Sequence, residues 1–251
     1  MNDTITILGT RINLETYDSA VEKSEKYINS KNSAGYVTLT CVDSVVNAYK
    51  NPLFKKILNE SFLSLPDGLP LVWIARSRGI KNIHTNTRGT SLMCKFIENT
   101  CQKQYKHYFY GGKEGIAVEL KRIIENKFKG VQIVGTYCPP FKKITEDEDK
   151  KICEVINSSG ADIVWVGLGA PKQELWMYEH RDKLNVSLMI GVGAAFDFLS
   201  GNKKEAPAWM KRIGLEWLYR LMSEPRRLWK RYLVGNSLFI YWLIKEKFSY
   251  K

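Results

Sequence analysis

The sequence has few residues of the kinds that bind metals or form disulfides. Its 251 residues include five Cys and three His, with no CxxC pair and no Cys/His spacing of a zinc site. An odd number of cysteines also disfavours a disulfide framework, so we expect free, buried thiols. The N-terminus lacks the basic and apolar regions of a secretory signal. These absences exclude zinc-finger and disulfide-rich classes and predict a protein that stays in the cytoplasm.

Long apolar runs and low-complexity tracts are also missing. The longest apolar stretch near the C-terminus covers twelve residues, 233–244, and includes Asn236 and Ser237, whereas a membrane-spanning helix takes about 20 residues. With 44% hydrophobic and 25% charged residues, the composition is typical of a globular protein. At roughly 150 residues per domain, the length fits one large α/β domain or two small domains.

Short apolar runs alternate with amphipathic stretches through the first four fifths of the chain. Strands are predicted at residues 36–42, 61–65, 107–110, 131–135, 161–167 and 186–193. Helices are predicted at residues 45–49, 52–59, 69–78, 114–128, 146–157 and 172–183. Continuous apolar strands separated by helices indicate a sheet buried on both faces. We therefore expect a Rossmann-like α/β core, with a parallel sheet flanked by helices, over residues 1–200.

Basic and aromatic residues at helical spacing replace the strand pattern after residue 200. From Asn202 to Lys251 the chain has twelve Lys or Arg and four Glu, which is +8 of the total net charge of +12. We therefore expect a helical appendage over residues 201–251 that meets a polyanionic partner. Trp and Tyr beside Arg and Lys suit an anionic membrane surface, and a nucleic-acid surface is the alternative.

Three glycine-containing loops follow predicted strands, where parallel α/β sheets bind their ligands. GxG sequences occur at residues 167–169 and at Gly191 and Gly193, but each lacks the third glycine of the dinucleotide fingerprint. Gly111 and Gly112 precede a predicted helix whose N-terminus would favour a phosphate. A nucleotide diphosphate is one interpretation of these loops, and turn chemistry alone is the other. A dinucleotide-dependent oxidoreductase and a basic binding protein without enzymatic activity remain alternative functions.

Two acidic motifs have both a structural and a chemical interpretation. Asp67 follows a predicted strand and precedes a predicted helix, so it is either the N-cap of that helix or a general base at the edge of the sheet. The residues alone favour the cap. Asp147 and Asp149 match a DxD pattern that can hold a divalent cation, but their place at a helix start favours a solvated first turn. We expect no metal site.

Six segments together resemble the WecG/TagA/CpsF family of glycosyltransferases. They are PDGLPLVW (66–73), RGTSLM (88–93), FYGG (109–112), GLGAPKQE (167–174), GVGAAFDFLSG (191–201) and EWLYRLMSEPRRLWKRYL (216–233). The resemblance implies an inverting, metal-independent enzyme that moves a sugar from a UDP-sugar to a sugar on undecaprenyl diphosphate. Family members add N-acetylmannosamine, its uronic acid or hexoses during the synthesis of teichoic acid, common antigen, capsule or exopolysaccharide.

The resemblance also implies partners and a location. A member of this family would work in the cytoplasm, bound peripherally to the inner face of the cell membrane. Its partners would be the UDP-sugar, the undecaprenyl-diphosphate-linked acceptor and the anionic membrane surface, with no cofactor and no nucleic acid. A homo-oligomer is compatible with these expectations.

Particular residues match the family's functional positions. Asp67 matches the catalytic base, which reverses the preference for the cap. Arg88 lies where the family has an arginine near the acceptor or diphosphate, with Asn86 as the alternative alignment, and Gln173 matches a residue of the nucleotide-sugar pocket. The other substrate-binding positions are Thr40, Cys41, Asp43, Gly111, Gly112, Gly191, Gly193, Arg220, Arg227, Lys230 and Arg231.

Some of these positions depart from the family pattern. Thr40 or Cys41 stands where the family has an Asn, and Asp43 stands where many capsule-type members have a His. Basic residues of the appendage, with either Lys230 or Arg231 at one position, are expected to close over the site and hold the lipid diphosphate. Cationic side chains suit this role because they can neutralise phosphates without a metal ion.

Overall fold

Six parallel strands form the central sheet of the computed structural model, which describes residues 4–30, 33–81, 83–140, 142 and 144–249. The strands are β3 (Gly35–Thr40), β4 (Leu63–Pro66), β5 (Lys106–Gly111), β6 (Gln132–Tyr137), β7 (Ile163–Gly167) and β8 (Leu188–Gly191). Their order across the sheet is β4-β3-β8-β7-β5-β6, and all neighbours are parallel. An antiparallel hairpin of β1 (Thr4–Ile7) and β2 (Thr10–Asn13) lies outside this sheet.

Helices cover both faces of the sheet. The helices of the core are α1 (Tyr17–Asn29), α2 (Val42–Lys50), α3 (Pro52–Glu60), α4 (Leu69–Ser77), α5 (Gly89–Thr100), α6 (Ile116–Lys127), α7 (Glu146–Ser158), α8 (Lys172–His180) and α9 (Ala195–Leu199). Strand β7 shows why both faces need cover, since Ile163 and Trp165 enter one apolar cluster whereas Val164 and Val166 enter another. The predicted α/β fold with a parallel sheet is confirmed.

The C-terminal segment is helical and packs against the core. It contains α10 (Ala208–Arg212), α11 (Glu216–Ser223), α12 (Pro225–Trp229), a π-helical turn (Lys230–Val234) and α13 (Gly235–Ser249). Phe239 of α13 joins an apolar cluster with Ile5, Val45 and Leu71 of the core. No helix among the described residues is long and apolar enough to cross a membrane. Residues 1–3 and 250–251, at the ends of the two predicted units, lie outside the described residues.

The structure also contains elements that the sequence patterns do not predict. The β1–β2 hairpin turns at Leu8 and Gly9, with φ values of 49° and 78°, and its four-residue strands are too short for a clear alternation. The patterns do not predict helices α1, α5 and α9 either. All five cysteines are free, as expected, but only Cys153 is buried, so the prediction that all of them are buried is wrong.

Candidate active site

Two adjoining chambers open at the carboxyl edge of the sheet. The Trp217 chamber has apolar side chains at Leu69, Pro70, Trp217 and Tyr232. The Gln173 chamber is lined by the loops after β7 and β8, the start of α5 and basic residues of the C-terminal segment. Six residues line both chambers, and we call them the shared wall: Cys41, Asp67, Arg88, Glu216, Arg220 and Arg231. Residues from three core loops and two C-terminal elements thus meet at one place.

Asp67 is held at the shared wall by the extension of a strand ladder. Its backbone N–H donates to the Thr40 carbonyl over 2.8 Å, one step beyond the pairing of β3 with β4. Helix α4 begins at Leu69, and its N-cap is Gly68, at φ 110°, with no side-chain cap bond. The interpretation of Asp67 as a helix cap is therefore wrong, because Gly68 occupies the N-cap position. Asp67 instead lines both chambers.

The surroundings of Asp67 make its carboxyl group a stronger base than usual. Burial, followed by the negative charge of Glu216, raises the pKa of Asp67 to about 6, although Arg220, Arg231 and Arg88 act in the opposite direction. A carboxylate with a pKa near the working pH is well suited to accept a proton during a reaction. The environment therefore fits general-base chemistry at Asp67.

The Arg88 guanidinium connects the core to the C-terminal segment. Its Nε donates to Glu216 Oε2 over 3.0 Å, and its Nη2 donates to the Lys211 carbonyl over 3.0 Å. The backbone N–H of Arg88 donates to the Tyr17 hydroxyl over 3.0 Å. Arg88 is thus held from both sides at the N-cap position of α5.

Arg231 enters the shared wall from the π-helical turn. Its Nη2 donates to Cys41 Sγ over 3.1 Å, and its Nε lies 3.7 Å from Asp43 Oδ2. That Nε is buried without a hydrogen-bond partner among the described residues. Burial raises the pKa of Asp43, and the Arg231 charge opposes the shift. Arg231 therefore retains donor capacity at the boundary between the chambers.

The Gln173 side chain is hydrogen-bonded to the loop after β7 and lies close to the end of β8. Its Oε1 accepts from the Gly169 backbone N–H over 3.2 Å, and its Nε2 donates to Glu174 Oε1 over 3.0 Å. A Cβ at Gly191 would lie 3.0 Å from Gln173 Nε2, so glycine makes room for this amide. Burial raises the pKa of the Glu174 carboxyl to about 7. The amide of Gln173 thus has a defined orientation beside the chamber.

The structure brings most of the predicted site residues to the chambers. Five predicted residues belong to the shared wall, namely Cys41, Asp67, Arg88, Arg220 and Arg231. In addition, Asp43 lines the Trp217 chamber, and Gln173, Gly193 and Arg227 line the Gln173 chamber. The following predicted residues line neither chamber: Thr40, Gly111, Gly112, Gly191 and Lys230. Their predicted contacts with substrate stay predictions.

Local packing accounts for these other positions. The Thr40 hydroxyl is buried and lies 2.7 Å from Ser64 Oγ, so Thr40 reaches the site only through the carbonyl that receives the Asp67 N–H. A Cβ at Gly111 would lie 2.6 Å from the backbone of Gly167, which requires glycine for packing. The Lys230 side chain is exposed, with Nζ 5.5 Å from the Trp229 ring centroid.

The DxD pattern belongs to a capped helix start, as predicted. Thr145 and Glu148 form a capping box at the start of α7. Asp149 lies 2.8 Å from His180 Nε2 and 2.9 Å from Lys183 Nζ, so its carboxylate already has two partners. With Cys153, Asp149 and His180 form a group of three potential metal ligands among the described residues, outside both chambers.

Sequence reasoning missed several residues of the site. Glu216 and Trp217 lie within the quoted EW motif but received no role, although an acidic residue among arginines was a signal for an ion pair. Glu174 lies next to Gln173 in the quoted APKQE motif and is fully buried. The Lys211 carbonyl had no sequence signal, because a backbone acceptor carries no residue-type preference.

The fold and the site define a class of protein: a parallel α/β protein with a largely basic site at the carboxyl edge of its sheet. The family described as "Glycosyl transferase WecG/TagA/CpsF family" matches residues 5–251. The chain therefore belongs to this family and is a glycosyltransferase, as the resemblance of its motifs predicted. This membership does not support the oxidoreductase or the nucleic-acid-binding alternative.

Two relatives are similar in sequence to this chain over most of its length. One, from Bacillus spizizenii strain W23, is named N-acetylglucosaminyldiphosphoundecaprenol N-acetyl-beta-D-mannosaminyltransferase. It is 29% identical over 215 residues, which are 86% of this chain and 81% of that protein. A protein of the same name from Bacillus subtilis strain 168 is 29% identical over 221 residues, 88% of this chain and 82% of that protein.

Proposed function

We propose that the protein transfers N-acetylmannosamine, or a related hexose, from a UDP-sugar to N-acetylglucosamine on undecaprenyl diphosphate during the synthesis of a cell-surface polysaccharide. The observation that carries the proposal is the position of Asp67 between two chambers of different character. The names of the two relatives support the acceptor and the sugar. The reaction needs two substrates to meet at one base, and the shared wall is a place where they can meet.

The Gln173 chamber suits the diphosphate of the donor. Helix α5 begins at its wall and has no side-chain cap bond, so its first backbone N–H groups remain available to an anion. Arg220, Arg227 and Arg231 also line this chamber. Such cations and N–H groups can stabilise the negative charge that develops on the leaving UDP.

The Trp217 chamber suits the acceptor sugar and the start of its lipid. Apolar and aromatic side chains there can cover a sugar ring, while Arg88 and Arg231 lie within reach of a diphosphate. In the proposed reaction, the acceptor hydroxyl loses its proton to Asp67 and its oxygen bonds to the anomeric carbon of the donor. The bond from that carbon to UDP breaks, and a single displacement of this kind inverts the anomeric configuration.

The proposed function predicts UDP release that depends on both substrates. We expect release when the protein is given UDP-N-acetylmannosamine and N-acetylglucosamine on a short-chain polyprenyl diphosphate, and much slower release without the acceptor. UDP-glucose, UDP-galactose and UDP-N-acetylglucosamine are the comparison donors. The same assay in excess EDTA should proceed, because arginines can neutralise the phosphates.

Two results would contradict this proposal. Turnover of none of these donors would reject the UDP-sugar, and loss of activity in EDTA with recovery in Mg²⁺ would reject the metal-independent reaction.

We further propose that α13 rests on the inner membrane surface. The helix is apolar on two sides, since Phe239 packs on the core while Ile240, Ile244 and Phe248 are exposed. A helix that is apolar all round needs a second apolar environment. The basic residues of the segment supply attraction to anionic lipid at about 1 kcal/mol each.

Membrane association predicts a loss of vesicle binding when the exposed face becomes polar. The double change Ile244→Gln and Phe248→Gln should weaken co-sedimentation with phosphatidylglycerol-rich vesicles by about tenfold or more, because each apolar side chain contributes about 1.5–3 kcal/mol on burial. Added salt should weaken the binding of the unmodified protein through screening. The matched control is Val118→Gln with Val155→Gln, two exposed valines of the core helices. Equal weakening by the control pair would contradict the role of α13.

A further inference from the structure

Glu216 is an acidic residue inside a wall that is otherwise dominated by arginines. It is the first residue of α11 and receives the 3.0 Å hydrogen bond from Arg88 Nε. The same guanidinium donates to the Lys211 carbonyl, just ahead of α11. The Arg88 side chain therefore contacts the C-terminal segment at two points: the Lys211 carbonyl in α10 and the Glu216 side chain at the start of α11.

We propose that Glu216 is a positioning residue for sugar transfer: it holds Arg88 and thereby docks α11, with Arg220, beside Asp67. The reaction itself rests on the proposed function, whereas the docking contact does not. Arg88 and Glu216 both line the two chambers, so their contact lies where the substrates would meet.

Because Glu216 and Arg220 lie on the same helix, the position of Glu216 determines the position of Arg220. Residues four apart lie on the same face of a helix, so an anchored Glu216 brings Arg220 to the same side of α11. Arg220 lines both chambers, and its guanidinium lies 5.9 Å from the Phe198 ring centroid. The Arg88–Glu216 pair is partly shielded, with side-chain exposures of 26% and 32%. This shielding makes the pair less sensitive to salt than a surface ion pair.

The charge of Glu216 also acts on Asp67. After burial, it is the largest influence that raises the pKa of Asp67. The titratable and charged groups that line the Trp217 chamber with Asp67 are Cys41, Asp43, Arg88, Lys211, Glu216, Arg220, Arg231 and Tyr232. The Gln173 chamber adds Lys172, Asp197, Lys203, Glu205 and Arg227. Among the charge influences on the pKa of Asp67, Glu216 raises it whereas Arg220, Arg231 and Arg88 lower it. Removing the Glu216 charge should therefore lower the pKa of Asp67.

The test compares Glu216→Gln with Glu246→Gln. Glu246 makes the matched contact, a 3.1 Å ion pair from α13 to Arg78 of the core, but it lies outside both chambers. We expect Glu216→Gln to speed hydrogen exchange in residues 208–223 and to lower kcat, each by about tenfold, as for the loss of a charged hydrogen bond. The acid limb of the kcat/KM profile should move to lower pH. Glu246→Gln should leave kcat and the acid limb unchanged.

The variant Glu216→Asp distinguishes the effect of the negative charge from the effect of side-chain length. It keeps the negative charge but shortens the side chain, so the acid limb should stay near that of the unmodified protein while kcat falls. Unchanged exchange in residues 208–223, or an unmoved acid limb in Glu216→Gln, would overturn the proposal. Because exchange is measured without substrate, failure of the proposed transfer activity leaves the docking test intact.

Discussion

Asp67→Asn should slow sugar transfer by about 10² or more, the loss expected when a general base is removed. In the unmodified protein, kcat/KM should rise with pH and level off above about 6, because Asp67 must be ionised to accept the proton and its pKa is about 6. The residual rate of the Asn variant should lose this acid limb. Initial rates of UDP release across the pH range measure both effects.

The same substitution should stabilise the fold at neutral pH. The pKa of Asp67 is raised from 3.8 to about 6 on folding, so the folded state binds the proton more tightly than the unfolded chain. The stabilising contribution of the protonated group is complete below pH 3.8 and is lost as pH rises towards about 6. Removing the charge should raise the free energy of unfolding at pH 8 by on the order of 3 kcal/mol. Below about pH 4 the two proteins should be equally stable.

Asp162→Asn provides the control for both effects. Asp162 immediately precedes β7, at the amino end of the strand, where its Oδ2 accepts from the Lys106 backbone N–H over 2.8 Å. Asn can keep that acceptor, so activity and its pH profile should be retained. If Asp67→Asn transfers sugar at the unmodified rate, Asp67 is not the base, and a loss of stability at pH 8 would contradict the assigned environment.

Arg231→Gln should lower kcat/KM by about 10² or more, the scale for removing one group that stabilises developing charge. Arg231 lines both chambers, and its buried Nε has no hydrogen-bond partner among the described residues. The change also removes the charge that lowers the pKa of Asp43, so the pKa of this half-buried carboxyl should rise further. Arg231→Lys should recover only part of the rate, because an ammonium group lacks the planar fork of donors.

Lys230→Gln is the matched control for Arg231→Gln. The two residues are adjacent in the π-helical turn, but Lys230 is exposed and lines neither chamber. We expect its transfer rate to stay within about twofold of the unmodified rate, as for a solvated charge of small energetic effect. The reverse result, with Lys230→Gln inactive and Arg231→Gln active, would assign the diphosphate contact to Lys230. Vesicle-free assays separate this effect from membrane binding.

Point substitutions test the C-terminal segment more clearly than truncation does. Removal of α13 would expose its apolar partners, including Val45 and Leu71, because Phe239 belongs to the same cluster. A shortened protein could therefore lose activity through instability rather than through loss of the site. The substitutions at Glu216, Arg231, Ile244 and Phe248 leave Phe239 and this cluster intact.

The positions of the motif residues between strands and helices could be predicted from the sequence, because the residues around them form local patterns. Asp67 stood between a predicted strand and a predicted helix, and the structure has β4 and α4 at those places. The identity of the cap could not be predicted, since it depends on the φ of 110° at Gly68. Likewise, the hairpin at Leu8 depends on a left-handed residue that no residue-type preference indicated.

The sequence by itself determined the parallel α/β class, the helical C-terminal segment and the family, because burial periodicity and motifs are local properties of the chain. Only the tertiary structure decided which motif residues meet. Glu216 pairs with Arg88 across 128 residues, and Arg231 reaches Cys41 across 190 residues. Such contacts depend on how the helices pack on the sheet, so the choice of Arg231 over Lys230 as a chamber residue could not be made from spacing alone.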